Sequence, residues 1–384
     1  MKYYVIAGEA SGDLHASNLI KGIKKYDPQA DVRGWGGDLM REAGADVIKH
    51  YKDTAVMGIV TVIRKMGTIK ANIKNCCADM EQWHADVVIL VDYGGFNLQI
   101  ARFAKTHNFK TFYYIAPKIW AWNTSRVRLI KKYVDKTYVI FPFEKDFYRK
   151  YNCEVDYEGN PLTDAIYNYP YKGEDIAVFR QDNHLSEKPI IALLAGSRRQ
   201  ELKNILPRML WMVEEFPDYQ FVIAGAPSMT DSDYAPYMKA QKTDKRDTTR
   251  VRIIYGQTYR LLQHARAALV ASGTATLEAA LLHTPQVVCY TTDGERIYYL
   301  IFKYLMKINC VSLVNLIMDG QEVVKELLMQ KFTKKNLLTE LTAILCDEQR
   351  RARMLSAYKE LEERLGQPGA SDRFAENMVK AIHS

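Results

Sequence analysis

Short apolar runs bounded by turn residues alternate along this chain with stretches of helical period. Such runs read as buried strands. In the first half they are Tyr3–Ala7, Val87–Val91, Thr111–Ile115 and Thr137–Phe141, with helical patterns such as Leu14–Lys25 and Arg126–Tyr133 between them. Residues 170–189 are polar, carry Pro170, Gly173 and Pro189, and read as a linker. A second series follows at Ile190–Leu194, Gln220–Ala224, Val251–Tyr255, Ala267–Ala271 and Gln286–Tyr290. After Thr333 the chain reads as helical and charged. Gly366-Gln-Pro-Gly369 breaks that run, and Ser371 or Asp372 is placed to cap a last helix to His383. Strands alternating with helices predict parallel sheets and crossover helices. The expected fold is α/β: two doubly wound, Rossmann-like domains facing a cleft, at residues 1–170 and 190–365. The helix 370–384 is expected to pack back on an N-terminal domain. Ligands of such sheets bind at the carboxyl ends of the strands.

Composition narrows the picture in three ways. The 384 residues are 48% hydrophobic and 26% charged, as in a soluble globular protein of more than one domain. No apolar run reaches the roughly 18 residues of a membrane span, and the N-terminus enters a strand without a signal-peptide pattern. The cysteines Cys76, Cys77, Cys153, Cys289, Cys310 and Cys346 show no C-x-x-C spacing, which suits a reduced, cytoplasmic setting. The formal net charge of +8 favours anionic partners: nucleotides, phosphorylated substrates or an anionic membrane surface. Nothing in the sequence marks a nucleic-acid binder.

Four strand ends carry candidate chemistry. After Ala267–Ala271 comes Ser272-Gly273-Thr274, and a helix start there, capped by Ser272 or Thr274, offers N–H groups to a phosphate. Glu278 lies one turn further on the face of Thr274, where a carboxylate suits two ribose hydroxyls. After Ile190–Leu194 come Gly196, Ser197 and Arg198, whose N–H groups, hydroxyl and guanidinium suit a diphosphate. At Leu90-Val-Asp-Tyr-Gly-Gly-Phe-Asn97, Asp92 leaves an apolar strand where it can take a proton from a substrate hydroxyl. The plainer alternative for Asp92 is a turn former. Gly8-Glu9-Ala10-Ser11-Gly12-Asp13 is a tight strand-to-helix turn but not G-x-G-x-x-G, which argues against a nicotinamide site.

Other features are less specific. Trp120 and Trp122 suit sugar stacking or core packing equally. Residues Ala55–Ile73 interleave apolar side chains with Arg64, Lys65 and Lys70, a pattern shared by core helices and membrane-interface helices. The histidines show no metal-ligand spacing, and Asp231-Ser-Asp233 lies in a polar stretch, Ala226–Pro236; no metal and no cofactor are expected.

Taken together, the motifs resemble those of lipid-A-disaccharide synthase, a bacterial glycosyltransferase family of GT-B fold. They are Gly8-Glu-Ala-Ser-Gly-Asp13, Ala55-Val-Met-Gly-Ile59, Ile119-Trp-Ala-Trp122, Phe141-Pro-Phe-Glu-Lys145, Gly196-Ser-Arg198, Ala271-Ser-Gly-Thr-Ala275 with Glu278, and Val311-Ser-Leu-Val-Asn-Leu316. The resemblance implies that UDP-2,3-diacylglucosamine donates its sugar, with inversion, to 2,3-diacylglucosamine 1-phosphate. UDP and a disaccharide 1-phosphate of lipid A biosynthesis result, at the cytoplasmic face of the inner membrane. Asp92 is the candidate base for the acceptor's 6-hydroxyl. Glu9, Ser11, Met57, Ser197, Arg198, Ser272, Gly273, Thr274, Glu278 and Asn315 become substrate-binding residues, and a homodimer is a possible assembly. The chain departs from the family pattern at Ala195, where a proline is usual, and at Gly94-Gly95, where a second acidic residue is usual. It departs again at Asn160, which stands in place of histidine. The rival readings are a UDP-sugar 2-epimerase and a non-catalytic UDP-sugar or lipid binder.

Overall fold

The computed structural model describes residues 1–53, 66–120, 124–242, 250–293 and 310–383. It divides into two units, Met1–Asp164 with Leu365–Ser384, and Ala165–Arg364. The first is built on a seven-stranded sheet of order β3-β2-β1-β4-β5-β6-β7. The strands are β1 (Lys2–Ala7), β2 (Asp31–Gly36), β3 (Asp46–His50), β4 (Val87–Val91), β5 (Lys110–Tyr114), β6 (Lys136–Val139) and β7 (Asp156–Tyr157). All neighbours run parallel. The central strands β1 and β4 are almost wholly buried, as helices on both faces require.

β2 and β3 were not expected. β2 contains Gly34 and Gly36, which break the apolar run, and β3 is a half-exposed edge strand. Gly34 is required: a Cβ there would lie 1.9 Å from the Val5 carbonyl oxygen. β6 ends two residues before the expected Phe141. The N–H groups of Ile140 and Phe141 turn instead to the Glu144 carboxylate, at 3.1 and 3.0 Å.

The helix Ala10–Tyr26 follows β1, and its Asp13 is buried. Asp13 accepts from the N–H groups of Gly37, Leu39 and Met40 at 2.7–3.2 Å, so it caps the neighbouring helix Asp38–Glu42 and not its own. The last helix, Ala370–His383, lies along Ala10–Tyr26, where a Cβ on Gly22 would sit 2.7 Å from the Ala375 methyl. Its cap is neither Ser371 nor Asp372. The carboxylate of Asp164 accepts from the N–H groups of Gly369, Ala370 and Ser371 at 2.5, 3.1 and 2.8 Å. Asp372 pairs with Lys25 instead.

The second unit has a six-stranded parallel sheet of order β10-β9-β8-β11-β12-β13. Its strands are β8 (Ile190–Leu194), β9 (Gln220–Gly225), β10 (Val251–Tyr255), β11 (Ala265–Val270), β12 (Gln286–Tyr290) and β13 (Lys325–Leu328). The expected linker is partly structured. Asp175 caps a helix Ile176–Asp182, whose Phe179 is buried in the core of this unit. The polar stretch 226–236 likewise gives way to a helix from Asp231. Among the described residues no helix is long and apolar enough to cross a membrane.

Candidate functional site

In each sheet the strand order reverses once, between β1 and β4 and between β8 and β11, and a doubly wound sheet opens a crevice at that point. β1 and β4 pair through Ala7 and Val91, so Gly8-Glu9 and Asp92-Tyr93 emerge side by side. Glycine is needed at position 8, because a Cβ there would meet the Tyr93 ring at 2.3 Å. Asp92 and Tyr93 both take left-handed backbone, φ +46° and +48°, and so does Ile115 at the end of β5, φ +59°. A β-branched residue there is a true outlier, and such strain gathers where a side chain must be aimed.

Hydrogen bonds hold the strained turn. The Asp92 N–H donates to the Tyr114 carbonyl at 3.1 Å. The Asp92 carbonyl accepts from Asn97 Nδ2 at 2.9 Å and from the Tyr113 hydroxyl at 2.7 Å. The carboxyl group is half-buried, and burial raises its pKa, while the Lys118 charge and the Tyr93 N–H draw it back. Glu9, half-buried, is close enough for its charge to help raise the Tyr93 phenol pKa, and Ser11 is exposed in the first helical turn.

Two aromatic expectations divide. Trp120 is 8% exposed and gives its indole N–H to Glu144 at 3.1 Å, so it is a core residue. Trp122 lies outside the described residues, as does Met57 with most of Ala55–Ile73. Ile73, from the helix Met66–Gln82, packs against the core. Glu144, from the Phe141–Lys145 motif, ties Trp120 to the end of β6. Burial raises its pKa to about 7. Asn160 bonds the Ile140 carbonyl and the Leu162 N–H at 3.0 and 2.9 Å, a structural role.

In the second unit β8 and β11 pair up to Leu194 and Val270, which sets Gly196–Arg198 beside Ser272–Thr274. The first loop differs from expectation. The N–H groups of Ser197 and Arg198 donate to Glu201 Oε2 at 2.9 and 3.2 Å, so a carboxylate of the chain already fills the expected anion position. Gly196, at φ +101°, allows this, for a Cβ would lie 2.3 Å from that oxygen. The Ser197 hydroxyl and the exposed Arg198 guanidinium are what the loop presents to a ligand. Arg198-x-x-Glu201 carries the spacing of a capping box, the signal that would have revealed it.

At the second loop neither expected cap forms. Thr274 is already helical, φ −61° and ψ −31°, and its side chain makes no cap bond to the helix Ala275–Leu281. A capping side chain needs extended backbone to fold onto the first turn. Thr276 bonds the Gly273 carbonyl at 2.8 Å instead. No side-chain partner holds the Ser272 or Thr274 hydroxyl among the described residues, and open space surrounds Gly273. Glu278 stands behind this turn with a pKa raised to about 7 by burial, against a long contact of 3.5 Å from the Tyr259 hydroxyl. Tyr259, from the helix Thr258–His264, is a site residue that no motif announced.

Asn315 is not placed to touch a ligand. Its NH2 donates to the Val324 carbonyl and to Glu326, both at 2.9 Å, and its oxygen accepts from the N–H groups of Val323 and Val324. An amide so engaged has no hydrogen-bonding capacity left. Asn315→Ala should therefore cost about 2 kcal/mol or more of stability through unpaired buried groups. Urea unfolding checks this, and UDP affinity should be unchanged in the folded fraction.

Among the described residues no three His, Cys, Asp or Glu side chains gather as a metal site. Asp233 bonds Thr230 and pairs with Arg199, and Asp231 accepts from Tyr255, so the D-x-D pair serves a helix start.

Two parallel doubly wound units, with candidate residues at the turning points of their sheets, define the two-domain GT-B fold. The UDP-GlcNAc 2-epimerase from Neisseria meningitidis bound to UDP-GlcNAc shares it, with a TM-score of 0.70 at 14% identity over 99% of this chain and 100% of that one. So does the glycotransferase of kitacinnamycin, with a TM-score of 0.62 at 12% identity over 99% and 98%. Sequence is more specific. The model of the family described as lipid-A-disaccharide synthetase matches residues 3–381. The lipid-A-disaccharide synthase of Syntrophus aciditrophicus (strain SB) is 36% identical over 375 residues, 97% of this chain and 95% of that one. That of Nitrosococcus oceani is 34% identical over 382 residues, 98% and 95% respectively. The chain belongs to the lipid-A-disaccharide synthetase family, a family of glycosyltransferases of lipid A biosynthesis.

Proposed function

We propose that the chain joins UDP-2,3-diacylglucosamine to 2,3-diacylglucosamine 1-phosphate, with the second unit holding the donor and the first the acceptor. The observation that carries this is Asp92, a half-buried carboxyl on a braced, left-handed turn at the point where the first sheet reverses. Asp92 takes the proton of the acceptor 6-hydroxyl as that oxygen attacks the donor's anomeric carbon. The bond from that carbon to UDP breaks, its electron pair leaves on the β-phosphate, and the configuration inverts. Direct displacement needs one base and no nucleophile of the protein, which suits a motif with a single acid.

On the donor side, Glu278 accepts from the ribose hydroxyls. Ser272, Gly273 and Thr274 take the diphosphate with the Ser197 hydroxyl and the Arg198 guanidinium, and these dipoles and charges stabilise the leaving group. Glu9 and Ser11 shape the acceptor side beside Asp92. Acyl chains of about ten methylenes would contribute about 8 kcal/mol each if fully enclosed, and product would leave too slowly. The chains therefore lie in grooves open to the inner membrane, where the protein works at the surface, and Ala55–Ile73 with Met57 is the segment suited to them. The test supplies UDP-diacylglucosamine with and without the monosaccharide acceptor. Disaccharide and UDP should appear only with both, whereas UDP release or epimerised donor without acceptor would defeat the reading.

A further inference from the structure

The carboxyl end of the first sheet carries two cations that the transfer step does not use. Lys118 is exposed and follows Pro117, just past β5. Pro117 lies against the Asp92 turn, since a methyl group on Gly94 would meet its ring at 2.7 Å and Arg126 Nη1 at 3.7 Å. Arg126 is half-buried, and its charge also reaches Tyr113, whose hydroxyl holds the Asp92 carbonyl at 2.7 Å. The charge of Lys118 reaches both Asp92 and Glu144. One connection, between β5 and the helix Val127–Tyr133, thus delivers both cations to the turn that carries the base.

The acceptor brings an anion to the same place. In a hexopyranose 1-phosphate the anomeric oxygen and the 6-hydroxyl stand on either side of the ring oxygen. A sugar that offers its 6-hydroxyl to Asp92 therefore presents its phosphate along the same edge. Resting on the transfer reading above, we propose that Lys118 and Arg126 bind the acceptor's 1-phosphate and so select a phosphorylated monosaccharide over a neutral one. The planar fork of Arg126 suits two phosphate oxygens, and Lys118 adds a mobile point charge at the exposed side.

The experiment compares 2,3-diacylglucosamine with and without its 1-phosphate as acceptors, at saturating UDP-diacylglucosamine in mixed micelles. It uses the wild type, Lys118→Gln and Arg126→Lys, with melting temperatures as the control for folding. The wild type should prefer the phosphorylated acceptor. Lys118→Gln should lower kcat/KM for that acceptor about 10- to 100-fold, the size of a charge-assisted hydrogen bond, and lower it much less for the neutral acceptor, which feels only the lost pull of Lys118 on Asp92. Arg126→Lys, which keeps the charge but loses the fork, should show a smaller loss with the same selectivity. Equal losses on both acceptors would mean that the cations only brace the turn, and would overturn the proposal. So would a wild type indifferent to the phosphate, which leaves the transfer reading intact. Disaccharide formed from neither acceptor would overturn both.

Discussion

Asp92→Asn should lower kcat by roughly 10²- to 10⁴-fold, the usual worth of a positioned general base, with UDP affinity unchanged. Asparagine keeps the shape of the side chain and tolerates left-handed backbone, so the strained turn survives the change. The hydrogen bonds that aim it run through main-chain atoms of residue 92 and are also retained. Single-turnover measurement of UDP release separates this effect from slow product release, and unimpaired turnover would remove Asp92 as the base. Gly95 offers a second test, because the family motif that Leu90–Asn97 resembles has a second acid at Gly94-Gly95. Among the described residues no heavy atom outside its chain neighbours and its own helix backbone lies within 4 Å of a Cβ at Gly95, and it stands in the first turn of the helix Gly94–Thr106, where an acid is favourable. Gly95→Asp should fold normally. Recovery of turnover by this change in the Asp92→Asn background is the result that would move the base to the helix start.

Glu278→Gln should weaken UDP binding by about 10- to 100-fold, the range of hydrogen bonds to a charged acceptor. The wild type should also show a pH dependence that the variant lacks. Burial raises the carboxyl pKa from 4.5 to about 7, so the folded protein holds this proton more tightly than the unfolded chain. The associated stability is fully present below about pH 4.5 and is lost as pH rises through 7. Ribose hydroxyls donate to the ionised form, so UDP affinity should climb up to about pH 7 and then level off. Calorimetric titrations of wild type and Glu278→Gln between pH 5.5 and 8.5 check this, and the variant cancels the titration of UDP itself. Parallel profiles for the two proteins would exclude Glu278 from the ribose.

The buried strands were the legible part of the fold. Val87–Val91 and Ile190–Leu194 are continuous apolar runs because both faces of a parallel strand are covered, and the chain shows them without ambiguity. β3 and β13, at the sheet edges, mix charged with apolar residues and lack that signal. Placement of the candidate site was legible for the same reason, since Asp92, Ser197 and Ser272 all follow buried strands. What those residues touch was not. Glu201 fills its own loop and Asp13 caps a neighbouring helix. Asn315 spends its whole amide on Val323, Val324 and Glu326. Glu201 makes a local contact at capping-box spacing, whereas the partners of Asp13 and Asn315 are set by tertiary packing, which spacing does not encode. Tyr259 and Lys118 reach their sites across sequence gaps that no local pattern bridges.

The carboxylate of Asp164 that receives the last helix has a consequence for synthesis on the ribosome. The first unit lacks its final helix until the intervening residues, Ala165–Arg364, have been made. At roughly 5–20 residues per second that wait is on the order of 10–40 s. During it the helix Ala10–Tyr26 shows its Gly22 face, and Tyr114 and Tyr138 show the ring edges that Phe374 later covers. The nascent chain thus carries an open apolar seat while a complete second unit folds behind it. Ribosomes stalled before residue 370 should display a first unit more readily cleaved by protease than those that have released the full chain.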